Sequence, residues 1–261
     1  MKKPEVSIIM NCFNGEKYLA KSLKSIINQS YKNWELIFWN NSSTDKSKKI
    51  FKTIKDKRFR YFENKKFKKL YDVRNLAIKK AKGNYISFLD TDDLWVKKKL
   101  EIQTKIIKEK KLNFVYSNFY TIYNDKTTSL LKRSLPSGNI TKQLLKNYSI
   151  GILTVLMSKK IFSKNKFNKR YNIIGDFDYF IRLSSTTEMF AIRKALAFYR
   201  SHSSNFSKIK LKMYSDELNE WLKNNNKWLK SNNYDTTNIN IWRYKLIIKI
   251  IVKKILNFIG F

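Results

Sequence analysis

Apolar residues in the first half of the chain alternate between short unbroken runs and helical spacing. VSIIM (6–10) is a continuous run of the kind a buried strand shows, and Asn14-Gly15 after it marks a turn. Tyr18, Leu19, Leu23, Ile26 and Ile27 then recur at helical spacing. WELIFW (34–39) predicts a second strand, NNSSTD (40–45) a turn with cap residues, and a Lys-rich helix should follow to about residue 55. FRYF (59–62) predicts a third strand. Leu70, Val73, Leu76, Ala77 and Ala81 predict a helix with Gly83 as its C-cap, and NYISFL (84–89) a fourth strand. Strand-helix alternation implies an α/β fold with a mostly parallel sheet flanked by helices. Such sheets bind ligands at the carboxyl ends of their strands, so the loops 11–15, 40–45 and 90–93 are the ones to watch.

The second half is less regular. NFVYSNFYTIY (113–123), ILTVLM (152–157) and EMFAIRKALAFY (188–199) predict strands. NITKQLLKNY (139–148), with Asn139 or Thr141 as cap, and GDFDYFIRL (175–183) predict helices. Residues 208–231 predict a Lys-rich helix, and the polar run 224–240 is expected to separate the main domain from a tail. In that tail, 241–261, Lys245, Lys249 and Lys253 recur every four residues while Ile, Leu and Phe fill the other faces. A basic helix with a broad apolar face can lie in a membrane interface. It can equally pack on the domain as a last core helix.

Composition narrows this picture. With 43% hydrophobic and 15% aromatic residues over 261 positions, the chain can bury a sizeable core. Lys and Arg outnumber Asp and Glu 55 to 20, a net charge of +35, but the lysines are scattered rather than blocked. Compositional drift accounts for most of this charge, which still attracts anions. Cys12 is the lone cysteine, so neither an intrachain disulfide nor a thiolate metal cluster is possible. No run reaches the roughly 18–20 apolar residues of a membrane span, and the expected location is cytoplasmic.

Against that basic background, ISFLDTDDLW (86–95) places Asp90, Asp92 and Asp93 within four positions. Like charges so close repel. Three readings account for them: caps of a helix over 95–110, a structural Ca²⁺ loop, or a divalent ion shared with a nucleotide diphosphate. The Ca²⁺ loop lacks its Gly and its later Glu. Asp-x-Asp-Asp at the end of a fourth strand favours the shared ion.

The segments VSIIMNCFNGEKYLAKSLKSIINQSYKNWELIF (6–38), NNSSTD (40–45), VRNLAIKKAKGNYISFLDTDD (73–93) and IGDFDYFIRL (174–183) together resemble family 2 glycosyltransferases with the GT-A fold. The resemblance covers roughly residues 5–207 and implies an inverting, metal-dependent transfer of a sugar from a nucleotide-diphosphate donor, UDP-sugar favoured. The acceptor would be a hydroxyl of a glycan or lipid-linked saccharide of the bacterial surface type. It implies a nucleotide-sugar half over 1–110, an acceptor and catalytic-base half over 111–207, and a helical extension over 208–261. Asn11, Asn14, Asn40, Asn41, Arg74, Asp90 and Thr91 would contact the nucleotide sugar. Asp92, with Asp90 and His202, would hold Mn²⁺ or Mg²⁺, and Asp93 would cap the next helix. Asp176 would be the base that deprotonates the acceptor, with Asp178 as runner-up, and Gly151 would allow a close backbone approach.

Three positions depart from the family. Asn40 and Asn41 stand where aspartates usually follow the second strand, which weakens the inference of uridine preference. Gly175 replaces the first acid of the family's Glu-Asp pair. The tail would bring the enzyme to the anionic inner face of the cytoplasmic membrane. A different class of reading, a non-catalytic basic module for nucleic acid or another anionic polymer, draws on the charge and the aromatic content. No nucleic-acid motif supports it, so no nucleic-acid partner is expected.

Overall fold

The computed structural model describes residues 3–123, 127–130 and 135–258. Its strands are β1 (Val6–Cys12), β2 (Trp34–Asn40), β3 (Phe59–Glu63), β4 (Tyr85–Phe88), β5 (Leu94–Trp95), β6 (Phe114–Tyr123), β7 (Thr127–Ser129), β8 (Leu156–Ser158) and β9 (Phe190–Ser201). They form a nine-stranded sheet in the order β3-β2-β1-β4-β8-β6-β9-β5, with β7 paired to β6. The architecture is the expected α/β type. The parallel expectation holds for β3, β2, β1 and β4. Beyond β4 the sheet is mixed. β8 joins β4 and β6 antiparallel, β5 joins β9 antiparallel, and only β6 and β9 run parallel. The regular strand-helix alternation stops at that point, and with it the crossovers that parallel pairing needs.

Every residue of β1 and β2 is buried. Helices cover both faces of the sheet, which is why these strands read as unbroken apolar runs. Ile9 and Ile37 join the core beneath helices Leu70–Lys80 and Gly175–Ser184, while Ile8, Met10 and Leu36 join the core beneath helix Glu16–Ile27. This is the alternation that a pleated strand imposes.

Several local expectations are corrected. Helix Leu70–Lys80 ends with Ala81 at its cap, and Gly83 lies beyond it. A Cβ on Gly83 would stand 2.7 Å from the backbone nitrogen of Ser7, so it is the approach to β1 that needs glycine there. The helix expected from 95 begins at Lys99 with Lys98 as cap, because Leu94 and Trp95 pair with β9 instead. The acids of 90–93 therefore cap no helix. Ile140 caps helix Thr141–Lys146 without a side-chain bond, so neither Asn139 nor Thr141 fills that place. Part of the strand expected over 152–157 is a 3-10 turn, Ile152–Thr154.

The polar run 224–240 is no linker. Most of it lies within helices Leu211–Ser231 and Thr237–Phe258, which pack against each other. Its Asn and Lys residues take the outward positions around buried Trp221 and Leu229. The first part of the tail helix packs on the domain, as the core-helix reading expects. Ile239 and Leu246 are core residues, and the Trp242 ring meets Phe177 and Tyr214. Past Leu246, Ile248, Ile251, Val252 and Ile255 are exposed. Residues 259–261 lie outside the described residues. Among the described residues no helix is long and apolar enough to cross a membrane.

Candidate active site

The loops after β1, β2 and β4 meet at the carboxyl ends of the parallel strands. Arg74, on helix Leu70–Lys80, is buried, and its Nη2 donates to both oxygens of Asp90 at 2.7 and 2.9 Å. Burial works against the guanidinium's charge, but the Asp90 carboxylate outweighs it and holds Arg74 firmly protonated. Asp92 Oδ2 lies 3.0 Å from His202 Nε2, 110 positions on in the chain. His202 is fixed in turn by Asn205, whose Oδ1 accepts the His202 backbone N–H at 2.7 Å.

Asp93 points inward. Its Oδ1 accepts the Arg200 backbone N–H at 2.8 Å, and Arg200 Nε donates to the Asp92 carbonyl at 2.9 Å. Burial, together with Asp92 and Asp90, pushes the Asp93 carboxyl well above the usual range. Asp93 thus joins the turn to β9 rather than capping a helix.

Asp176 reaches the same cleft from helix Gly175–Ser184. The cleft holds about 470 Å³ and is lined by Asp90, Asp93, Tyr148, Gly151, Asp176 and Tyr199, among others. Asp176 Oδ1 accepts the Phe177 N–H at 2.9 Å. Burial pushes its carboxyl up, while Arg74 and that N–H pull it back. Asp178 is elsewhere. It is buried, accepts from Arg182 at 2.8 Å and from Trp221 Nε1 at 3.1 Å, and so is a structural acid rather than an alternative base. Two positions on a helix turn the side chain by roughly 200°, which separates these carboxylates onto opposite faces.

The asparagines divide as well. Asn40 donates to Tyr61 Oη at 3.0 Å and accepts the Ser43 N–H at 3.1 Å. Asn41 donates to the Lys68 carbonyl at 2.7 Å and accepts from Asn64 and Lys68. Both amides are committed to holding loops. Asn14, at φ 50°, accepts the Thr44 N–H at 2.9 Å and ties the first loop to the second. Thr91 packs its Oγ1 where a side chain on Gly15 would stand. A Cβ on Gly151 would meet Leu153 and Phe119, so this glycine serves the packing of the cleft wall. Asn11 differs from the others: it is buried, and its Nδ2 has no hydrogen-bond partner among the described residues. Cys12 packs in the core, as expected.

Four contributors escaped the sequence reading. Phe13 and Phe67 are exposed and meet edge-on at 4.7 Å. Tyr71 lies one turn before Arg74, with the guanidinium 5.2 Å from its ring. Glu217 accepts the backbone N–H groups of Asn172, Ile173 and Ile174 at 2.6, 2.9 and 3.1 Å, immediately before the helix that carries Asp176. Phe13 and Tyr71 could have been found from their places beside Asn11 and Arg74. Nothing in the sequence ties Glu217 to a segment more than 40 positions away.

No three His, Cys, Asp or Glu side chains gather as a metal cage among the described residues. The protein offers one carboxylate and one imidazole, Asp92 and His202, converging at 3.0 Å. That pair fits a divalent ion whose remaining ligands are substrate phosphates and water. Asp90 fits less well, since both its oxygens are taken by Arg74.

The family model for glycosyl transferase family 2 matches residues 7–182. The chain is 34% identical over 180 residues to UDP-Glc:alpha-D-GlcNAc-diphosphoundecaprenol beta-1,3-glucosyltransferase WfgD of Escherichia coli, covering 69% of this chain and 68% of that protein. It spans about a third of some longer curated relatives. Among solved structures it resembles Staphylococcus aureus TarS 1-349 in complex with UDP, with a TM-score of 0.63 and 18% identity over 82% of this chain and 65% of that one. It also resembles the mannosyltransferase PcManGT of Pyrobaculum calidifontis in complex with GDP-Man and Mn²⁺, with a TM-score of 0.62 and 13% identity over 85% of this chain and 64% of that one. The parallel strands, the acids at their carboxyl ends and these matches agree: the chain belongs to glycosyl transferase family 2 and is a glycosyltransferase.

Proposed function

We propose that this chain transfers a sugar, with inversion, from a UDP-sugar to a hydroxyl of a lipid-linked saccharide, with a divalent ion bound beside the donor diphosphate. The observation that carries the reading is that Asp90 and Asp176 line one cleft, with Arg74 bonded to Asp90 and the Asp92–His202 pair on the adjoining loop after β4. Asp92 and His202 would hold the ion, and when bound it offsets the charge of the departing diphosphate. Arg74, kept charged by Asp90, adds a fixed positive charge beside Asp90, set back from the cleft wall. The exposed ring of Phe13 offers a face for the base, and the Asn11 amide offers a donor to it. Asn40 and Asn41 are already satisfied, so they shape the pocket rather than read the base. Asp176 accepts the acceptor's proton.

The UDP preference is supported by the donor that the Escherichia coli relative's name carries and by the UDP bound to TarS. The lipid-linked acceptor is supported by that relative's name and by the outer half of helix Thr237–Phe258. That half presents exposed isoleucines among Lys249, Lys253 and Lys254, a pattern suited to an anionic membrane surface. The carboxylates of Asp90, Asp93 and Asp176 on the cleft wall argue against a nucleic-acid module, since they would repel phosphate.

The test is release of nucleoside diphosphate from a panel of UDP-, GDP-, CMP- and dTDP-sugars, with and without Mn²⁺ or Mg²⁺. Metal-dependent release from a UDP-sugar is expected. No turnover with any donor, together with unchanged nucleotide binding in Asp92→Ala, would sink the enzyme reading.

A further inference from the structure

Gly175 stands where the resembled family carries an acid, and the structure shows why none fits. A Cβ on Gly175 would lie 2.4 Å from Cδ2 and Cε2 of Tyr71. The Tyr71 ring is 2% exposed and backed by Phe167 at 5.4 Å between centroids, so it cannot yield cheaply. Occupying that space brings its hydroxyl to the base. Tyr71 Oη is 3.3 Å from Asp176 Oδ1 and 3.0 Å from the Ile173 carbonyl oxygen. A phenol has one proton to donate, so it can serve only one of these two acceptors at a time. Asp176 Oδ1 is thus held from two sides, by Tyr71 and by the Phe177 N–H, while Oδ2 has no protein donor among the described residues.

The geometry points to Tyr71 as the positioning residue of the catalytic base: its hydroxyl donates to the Asp176 carboxylate before transfer and turns to the Ile173 carbonyl once Asp176 has taken a proton. This rests on the reading of Asp176 as the base. In the step itself, the acceptor O–H bond breaks and its proton passes to Asp176 Oδ2. The acceptor oxygen bonds to the anomeric carbon. The bond from that carbon to the diphosphate breaks, and its electron pair leaves with the diphosphate. Tyr71 keeps its own proton throughout, because burial pushes its phenol well above the ordinary value. With the proton on Oδ2, Oδ1 keeps the Phe177 N–H and the Tyr71 hydroxyl is satisfied by the Ile173 carbonyl, so neither state of the base leaves the phenol without an acceptor.

The charged and titratable groups that act on Asp176 come from several elements. Arg74 pulls its pKa down and Asp90 pushes it up, while Tyr148, Tyr199 and Tyr214 stand nearby as neutral phenols. Removing a donor to the ionised form should raise the pH at which Asp176 becomes a base.

The experiment is the pH dependence of kcat/KM for wild type, Tyr71→Phe, Gly175→Ala and Asp176→Asn, with circular dichroism to check folding. Tyr71→Phe keeps the ring and loses the donor. Its acid limb should move up by about one pH unit, since hydrogen bonds to charged groups are worth roughly that much when shared. Gly175→Ala keeps the phenol but displaces the ring, and should move the limb the same way. An unmoved limb in both variants, with Asp176→Asn inactive, overturns the role of Tyr71 and leaves the base in place. An active Asp176→Asn overturns the base itself.

Discussion

Two clefts lie at opposite ends of the same strands. At the carboxyl ends, the wall carries Asp90, Asp93 and Asp176 and no lysine or arginine among the described residues. At the amino ends of β1, β4 and β6, a larger cleft of about 1050 Å³ is lined by eight lysines, Lys79, Lys111 and Lys160 among them, and by no acid. With 55 Lys and Arg in 261 residues, a wall of lysines is what the composition produces unaided. Lys79 and Lys108 also sit on the last turns of helices, where the dipole favours cations. A wall with three acids and no lysine runs against the composition, and it lies where the fold gathers its loops. Net charge describes the chain, whereas a site shows as a local departure from it.

The largest effect should come from Asp176→Asn, which removes the base and is expected to lower kcat by about 10²–10⁴-fold. Replacing Lys79, Lys111 and Lys160 together by Gln should change turnover less than about twofold, as surface substitutions do. A reversal of those two results would break the comparison. Next comes Asp92→Ala, expected to weaken Mn²⁺ binding in the presence of UDP by on the order of 10–100-fold, read by calorimetry.

Glu217→Ala sharpens the same contrast from outside the cleft. It leaves the N–H groups of Asn172, Ile173 and Ile174 without their acceptor and should cost about 2–4 kcal/mol in urea unfolding. The smallest effect concerns a lysine unlike all those on the surface. Lys99 is fully buried, and its Nζ donates to Gln103 at 2.6 Å and Ser87 at 2.9 Å with no carboxylate partner. Burial pushes its pKa well below the ordinary lysine value. The unfolded chain therefore binds a proton that the folded one releases. Stability should rise with pH between the lowered folded value and the usual value of about 10.4, and fall as pH drops through that window. Lys99→Met should flatten that slope in denaturant titrations, while Lys79→Met should not.

Much of the fold was legible because β1, β2 and β4 are buried on both faces and read as apolar runs. The mixed half was not, since β8 is a three-residue strand and β5 a two-residue strand, set by pairing rather than by their own pattern. Motif order and spacing singled out the loop positions and Asp90, Asp92, His202 and Asp176, and the structure sets Asp92 beside His202 and Asp90 and Asp176 on one cleft, their roles being part of the proposal. The separation of Asp176 from Asp178 required the facing of a helix, and the commitment of Asn40 and Asn41 required partners from 61 to 68. Glu217 and Tyr71 act through contacts that only the folded chain supplies.

The most direct test of the central claim is the Mn²⁺ dependence of UDP release from a UDP-sugar by wild type, Asp92→Ala and the triple lysine variant. Saturable, metal-dependent release by wild type and the lysine variant, lost in Asp92→Ala, is the result expected of a catalytic site at the acidic cleft. Release that ignores Asp92 but disappears with Lys79, Lys111 and Lys160 would contradict it.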